Sequence, residues 1–430
     1  MKNIFLNTAS VAALLVAAPA IAQEQQTSDI WQNGMNNGAT VDQTGNEGVS
    51  EIDQDGNDNR AEVTQSENPN VGSASFSVAA NTATVDQEGD NSRARIGQNS
   101  TNPGASAGNV ANITQVSGYK AGPPEVGYTL PSGFANDAQI EQNGTDNQSS
   151  ILQQDSGGGL AGAASSYNSQ DGSGLRSKTT QYRLGSSRVF PTASTISVVQ
   201  TGERNESIAL QKYPADTMLV TQSGADNFSD AEQQRGGNLA TVTQSGQRGT
   251  SFVFQNEESV ASLIQGGDDN YSNIEQGGSN QIANVDQIGG SNDVFIDQVN
   301  YGSEVAVDQS GTNGLIDIDQ SGDVQFAKVI QSGAGNTANI VQENGDGSGS
   351  NEAYVTQSAG SNLADIFQSG TDNTATVSQS GFENTSYLDQ LGTGNSATVT
   401  QTGYGDMSTI AQDGSGNSAT VTQGTAGGAL

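Results

Sequence analysis

A glutamine returns every eleven residues along most of this chain. The longest run reads Gln265, Gln276, Gln287, Gln298, Gln309, Gln320, Gln331 and Gln342, then resumes as Gln357, Gln368, Gln379, Gln390, Gln401, Gln412 and Gln423. Earlier runs join Gln32 to Gln65 and Gln200 to Gln255 with the same step. A period held this long means one small unit repeated, each copy depending on its neighbours to bury its interior. Composition alone suits disorder, with 5% aromatic residues and a mean hydropathy of −0.52. The register outweighs it, because a chain without structure has no physical reason to keep an eleven-residue phase.

The segment from Gln390 to Gln401 shows the unit. With Gln390 as position zero, Gly392 stands at two, Asn395 at five, Ala397 at seven, Val399 at nine and Gln401 at eleven. The last four are two apart, so a strand points them all to one face. Ser396, Thr398 and Thr400 take the opposite face, and Thr favours strands. Leu391-Gly-Thr-Gly carries turn chemistry. An amphipathic helix also fits an eleven-residue period, but strict alternation, Thr/Val/Ile enrichment and turn glycines exclude it.

The expected fold class is all-β: a cross-β-like β-solenoid of stacked 22-residue strand-turn-strand-turn coils. Stacking at 22 residues brings Gln379 to Gln401 and Gln423, and Asn373 to Asn395 and Asn417. Stacked amides both donate and accept, which offsets the cost of burying them. The structural ladder expected from this parity comprises the glutamines from Gln276 to Gln423 together with Asn373, Asn395 and Asn417.

Residues 1–22 read as a signal peptide, with Lys2, a short apolar run and Ala20-Ile21-Ala22 before Gln23. Residues 23–154 hold repeats with insertions, one of them containing Pro123-Pro124 and Pro131. Residues 155–193 read as an irregular Gly-rich insertion, with Gln170 and Gln181 as degenerate units. Residues 194–423 form the regular stack, interrupted at Gly345–Ser350, and 424–430 form a tail.

No cysteine or histidine is present, so a disulfide framework, the commonest metal ligand and the commonest general base are all missing. The formal net charge of −33 repels nucleic acid and anionic lipid. No segment is apolar for long enough to span a membrane. Asp317 and Asp319 lie two apart on an outward strand face among many equivalents, which reads as a solvated acidic face and not as a catalytic pair. No catalytic residue, cofactor or metal site is therefore assigned.

Glu275, Asp286, Asp297, Asp308 and Asp319 each precede a ladder glutamine. Glu275, Asp297 and Asp319 would stack on one outer face, Asp286 and Asp308 on the other. Carboxylates this close repel by about 1 kcal/mol per pair in water. Gatekeeping against premature association suits these rows better than weak divalent-cation binding. Thr376, Ser378, Thr398, Thr400, Thr420 and Thr422 make a second outward array, of a kind that binds ice on flat solenoids.

The unit Gln-x-Gly-x-x-Asn-x-Ala-x-x-x-Gln resembles the repeat of curlins, the subunits of bacterial curli fibres. Gln390 to Gln401 and Gln412 to Gln423 carry it closely, and looser copies cover nearly all the chain after residue 23. Family members typically have fewer repeats and a Gly/Asn-rich leader. The resemblance implies a secreted, non-enzymatic β-solenoid, exported through a dedicated outer-membrane channel. It also implies polymerisation with itself and other curlin subunits into extracellular functional amyloid for biofilm matrix and adhesion. The alternative is a monomeric surface-binding solenoid, an adhesin or ice binder.

Overall fold

Alternation decides which residues form strands. In Thr374–Gln379, Ala375, Val377 and Gln379 are buried, while Thr374, Thr376 and Ser378 stay partly exposed. The same two-residue beat recurs in strand after strand of the computed structural model, which describes residues 26–44, 48–67, 80–100, 108–116, 136–155, 164–183, 193–344 and 349–424. Among these residues there is no α-helix, and neighbouring strands pair in parallel. The fold is an all-β stacked solenoid.

The chain divides into two compact units, Met1–Asp216 and Thr217–Leu430. In the first, Thr27–Asn33, Val49–Asp55, Thr82–Glu88, Val110–Val116, Gln148–Asp155, Arg176–Arg183 and Glu206–Gln211 pair in that order in one sheet. Gly38–Thr44, Arg60–Glu67, Ser92–Ser100, Asn136–Thr145, Ala164–Ser173 and Ser194–Glu203 make the other. In the second unit one sheet runs from Thr217–Ala225 to Ser418–Gln423 and the other from Phe228–Gln233 to Met407–Ser415. Successive strands alternate between the sheets, so two strands complete one coil. The thin interior is built from columns such as Ala375 on Ala397 and Val377 on Val399. Burying each valine contributes about 1.5–3 kcal/mol, and only stacking provides that burial.

Insertions leave the register intact. Gln65 pairs with Gln98, Gln98 with Gln142 and Gln331 with Gln357, so extra residues fall in connections and inward parity is kept. The signal segment 1–22, the Pro123-Pro124 and Pro131 connection, the run at 157–159 and the tail from 425 lie outside the described residues. So does most of the Gly345–Ser350 interruption.

Within the segment 155–193 the described residues 164–183 are regular rather than irregular. The degenerate units read at Gln170 and Gln181 are two in-register strands, with Gln170 opposite Gln142 and Gln200, and Gln181 opposite Gln153 and Gln211. The apolar signal is missing because buried Asn168 and Thr179 stand where other coils carry Val or Ile. Their polarity is answered internally. Asn168 Nδ2 donates to Ser149 Oγ at 3.0 Å, and Thr179 Oγ1 donates to Asn168 Oδ1 at 2.8 Å.

Two turn positions are fixed by the backbone. Gly392, at position two, has φ +108, and a Cβ there would collide with the carbonyl oxygen of Gly414 in the next coil. Position four is left-handed in coil after coil: Gly394 (φ 64), Asp372 (φ 57), Glu383 (φ 56) and Val324 (φ 57). For a β-branched residue such as Val324 that conformation is strained.

Candidate functional site

Each ladder glutamine ends its strand with its side chain inside the coil. In one sheet of the second unit Nε2 donates to the next Oε1 from Gln276 to Gln298 (3.0 Å), Gln298 to Gln320 (2.9 Å) and Gln320 to Gln342 (2.9 Å). The column continues from Gln342 to Gln368 (2.8 Å), Gln368 to Gln390 (2.9 Å) and Gln390 to Gln412 (2.9 Å). The other sheet repeats this from Gln287 to Gln309 (3.1 Å), Gln309 to Gln331 (3.0 Å) and Gln331 to Gln357 (2.8 Å). It ends with Gln357 to Gln379 (2.9 Å), Gln379 to Gln401 (2.8 Å) and Gln401 to Gln423 (2.9 Å).

The second amide hydrogen crosses the interior. Gln379 Nε2 donates to the carbonyl of Leu363 at 2.8 Å, and Gln401 Nε2 to that of Thr385 at 3.0 Å; both acceptors begin strands of the opposite sheet. Glutamines such as Gln379 and Gln401 therefore tie their coil to the next one and one sheet to the other. The column also has a direction, since Nε2 always points toward the higher-numbered coil.

The asparagines serve the turns. Asn373 Oδ1 accepts from the Asn395 backbone N–H at 3.0 Å, and Asn395 Oδ1 from that of Asn417 at 3.0 Å. Asn395 Nδ2 donates to the carbonyls of Leu391 (3.0 Å) and Gly414 (3.1 Å). Backbone groups that leave the sheets at the turn thus find partners.

On the outside, Glu275 lies opposite Asp297 and Asp297 opposite Asp319, while Asp286 lies opposite Asp308 in the other sheet. Apolar neighbours bound both rows: Phe254 and Val341 the first, Ile264 and Ile330 the second. Burial first, and then the charges of Glu275 and Asp319, push the carboxyl of Asp297 up; burial and then Asp308 do the same to Asp286. Among the described residues no three carboxylates converge as a metal site would require.

A ring column escaped the sequence reading. Phe228, Phe252, Tyr271 and Phe295 pack at 5.7, 5.8 and 5.4 Å between successive centroids on the outside of one sheet. They alternate between the first and third strand positions, so no single column of the repeat displays them. Their clustering between Phe228 and Phe295 was the available signal.

A family model, the curlin associated repeat, matches residues 34–66, 370–403 and 392–424. The last two matches contain Asn373, Gln379, Asn395, Gln401, Asn417 and Gln423, the residues whose amides form the columns. A search of curated proteins gives no match. Coil geometry, amide columns and family model agree, and the chain carries the curlin associated repeat.

Proposed function

We propose that this protein is a secreted structural subunit that stacks head to tail into extracellular curli-like amyloid fibres, for biofilm matrix and adhesion. The carrying observation is that the first and last described coils each leave one side unpaired among the described residues and that the amide columns are directional. In the first unit, Thr27–Asn33 and Gly38–Thr44 each pair on a single side among the described residues, and Ile30, Ala39 and Val41 are only partly buried. Gln32 and Gln43 donate upward to Gln54 and Gln65. Among the described residues nothing is seen donating to their own Oε1 atoms. In the second unit, Met407–Ser415 and Ser418–Gln423 are likewise paired on one side, and among the described residues Gln412 and Gln423 donate to no further glutamine.

Donors on the last described coil thus match acceptors on the first. Gln412 of one copy stacks on Gln32 of the next, and Gln423 on Gln43. Exposed strand edges and a thin apolar cross-section favour that addition, and a heterologous contact that does not close gives a filament. The leader 1–22 directs export, and the partners are further copies, other curlin subunits and an outer-membrane curli channel. The acidic rows act as gatekeepers that slow stacking at neutral pH. No catalysis or cofactor is assigned.

Electron microscopy of the purified chain after incubation tests this, alongside Val41→Lys and Val421→Lys, which put a charge inside each terminal coil. Long unbranched filaments from the wild type and stalled growth in both variants are expected. Wild-type monomers that persist, or lysine variants that elongate normally, would refute it; lasting monomers are what a solitary adhesin or ice binder gives.

A further inference from the structure

The two outer faces of the second unit differ in chemistry. The sheet ending with Ser418–Gln423 presents mostly threonine and serine over its last strands and carries Lys328. The sheet from Phe228–Gln233 to Met407–Ser415 has no lysine or arginine in any strand. It carries the ring column, and in register against the rings it carries carboxylates. Asp230 lies opposite Phe252, Asp293 opposite Tyr271 and Asp317 opposite Phe295.

All three carboxyls are pushed up, with burial as the leading cause. Asp230 is half-buried, Asp293 and Asp317 are exposed, and no strand of this sheet places a cation beside them. Arg235 and Arg248, on the turns, are paired with Glu257 and Asp269.

An aromatic ring in register with a carboxylate, repeated on successive coils, suits one group in particular. A guanidinium lays its plane on the ring and turns its N–H edge to the carboxylate, whereas an ammonium offers no such plane. We propose that this face docks an extended, arginine-rich segment of a basic polypeptide lying along the stacking direction. Three coil steps at about 4.8 Å accommodate roughly four or five extended residues. The face runs along the side of the stack, so it is present in single chains and in filaments alike, and the inference stands apart from the fibre proposal.

The test is fluorescence anisotropy of a labelled oligoarginine peptide, with oligolysine of equal length, titrated with the full chain. Phe252→Ser/Phe295→Ser leaves the net charge unchanged. Asp286→Asn/Asp308→Asn removes two charges from the opposite sheet. Circular dichroism first establishes that strand content is kept. If the ring variant does not fold, the isosteric Asp293→Asn/Asp317→Asn carries the test and is expected to weaken oligoarginine in the same way. Removing the two rings should weaken oligoarginine about tenfold, the loss of two cation–π contacts. Oligolysine binding should change little, and the opposite-sheet variant should resemble the wild type. Equal oligoarginine binding with and without the rings, or an equal loss from the opposite-sheet variant, overturns the proposal and leaves only general polyanion attraction.

Discussion

Replacing Gln298 by methionine keeps the length of a fully buried side chain and deletes its amide. Three hydrogen bonds go: to Gln320 Oε1 (2.9 Å), to the Ile282 carbonyl (3.2 Å) and from Gln276 Nε2 (3.0 Å). Each contributes about 1 kcal/mol net, and an orphaned buried group costs about 1–3 kcal/mol. Gln320 Oε1 loses its ladder donor, while Gln276 keeps its bond to the Val260 carbonyl at 3.1 Å. Against this, the variant no longer desolvates an amide of its own. The expected loss is about 2–4 kcal/mol, whereas an outward substitution such as Asn273→Ser should stay within about 0.5 kcal/mol. Urea unfolding followed by circular dichroism gives the total. Hydrogen exchange should place the loss in the coils of Gln276 and Gln320 and leave Gln401 protected, because coils couple chiefly to their neighbours. The double variant Gln276→Met/Gln298→Met should cost less than the two singles together, since both remove the same bond. A change in Gln298→Met no larger than that of the outward control would refute the buried-ladder reasoning.

Other substitutions probe the turns and the acidic rows. Val324→Gly should stabilise by about 1 kcal/mol in urea unfolding, because glycine removes the left-handed penalty at φ 57; a destabilised variant would show that Val324 is not strained. Gly392→Ala should cost at least about 3 kcal/mol through backbone strain and displacement of the Gly414 carbonyl, and a neutral thermal melt would contradict this. Asp297 and Asp286 have folded-state values raised above the ordinary 3.8. Their contribution is therefore fully present below that value and lost as pH rises through the folded-state value. Asp269, held low by Arg248, runs the other way. Acidification from neutral pH toward 4 should then stabilise the second unit and speed thioflavin-positive assembly, and Asp297→Asn should flatten both trends. Slower assembly on acidification would overturn the gatekeeping proposal.

Much of the fold was legible because the repeat leaves few choices. A glutamine that shares parity with Val399 and Ala397 has to be buried, and a buried amide needs a partner at each side; a 22-residue coil supplies both. The opposition of Glu275, Asp297 and Asp319 followed from the same arithmetic. Features that break the unit's symmetry were not legible. The two strands of a coil differ in length, Thr385–Thr393 against Ser396–Gln401, although the two half-coils share one parity. In one, Leu391, Gly392 and Thr393 continue to pair with the next coil. The left-handed residue at position four is hidden by its variety, since Gly394, Asp372, Glu383 and Val324 share a backbone and not a side chain. Ala164–Arg183 was obscured by Asn168 and Thr179, whose hydrogen bonds replace the apolar signal. The rings were missed because only the register brings Phe252 and Tyr271 together.

The parallel 22-residue register itself can be measured by cross-linking, since the natural chain has no cysteine to interfere. Thr376 and Thr398 project outward from neighbouring coils and stand directly opposite one another. Their Cα atoms should be about 4.8 Å apart, within the range of about 4.4–6.8 Å that a disulfide spans. Thr376 and Thr400 are offset by two residues along the strand and should be about 8 Å apart, which is too far. Mild oxidation should close Thr376→Cys/Thr398→Cys rapidly with strand content unchanged, and leave Thr376→Cys/Thr400→Cys open. Equal closure of both pairs, or a matched pair that never closes, would contradict the stacked coil.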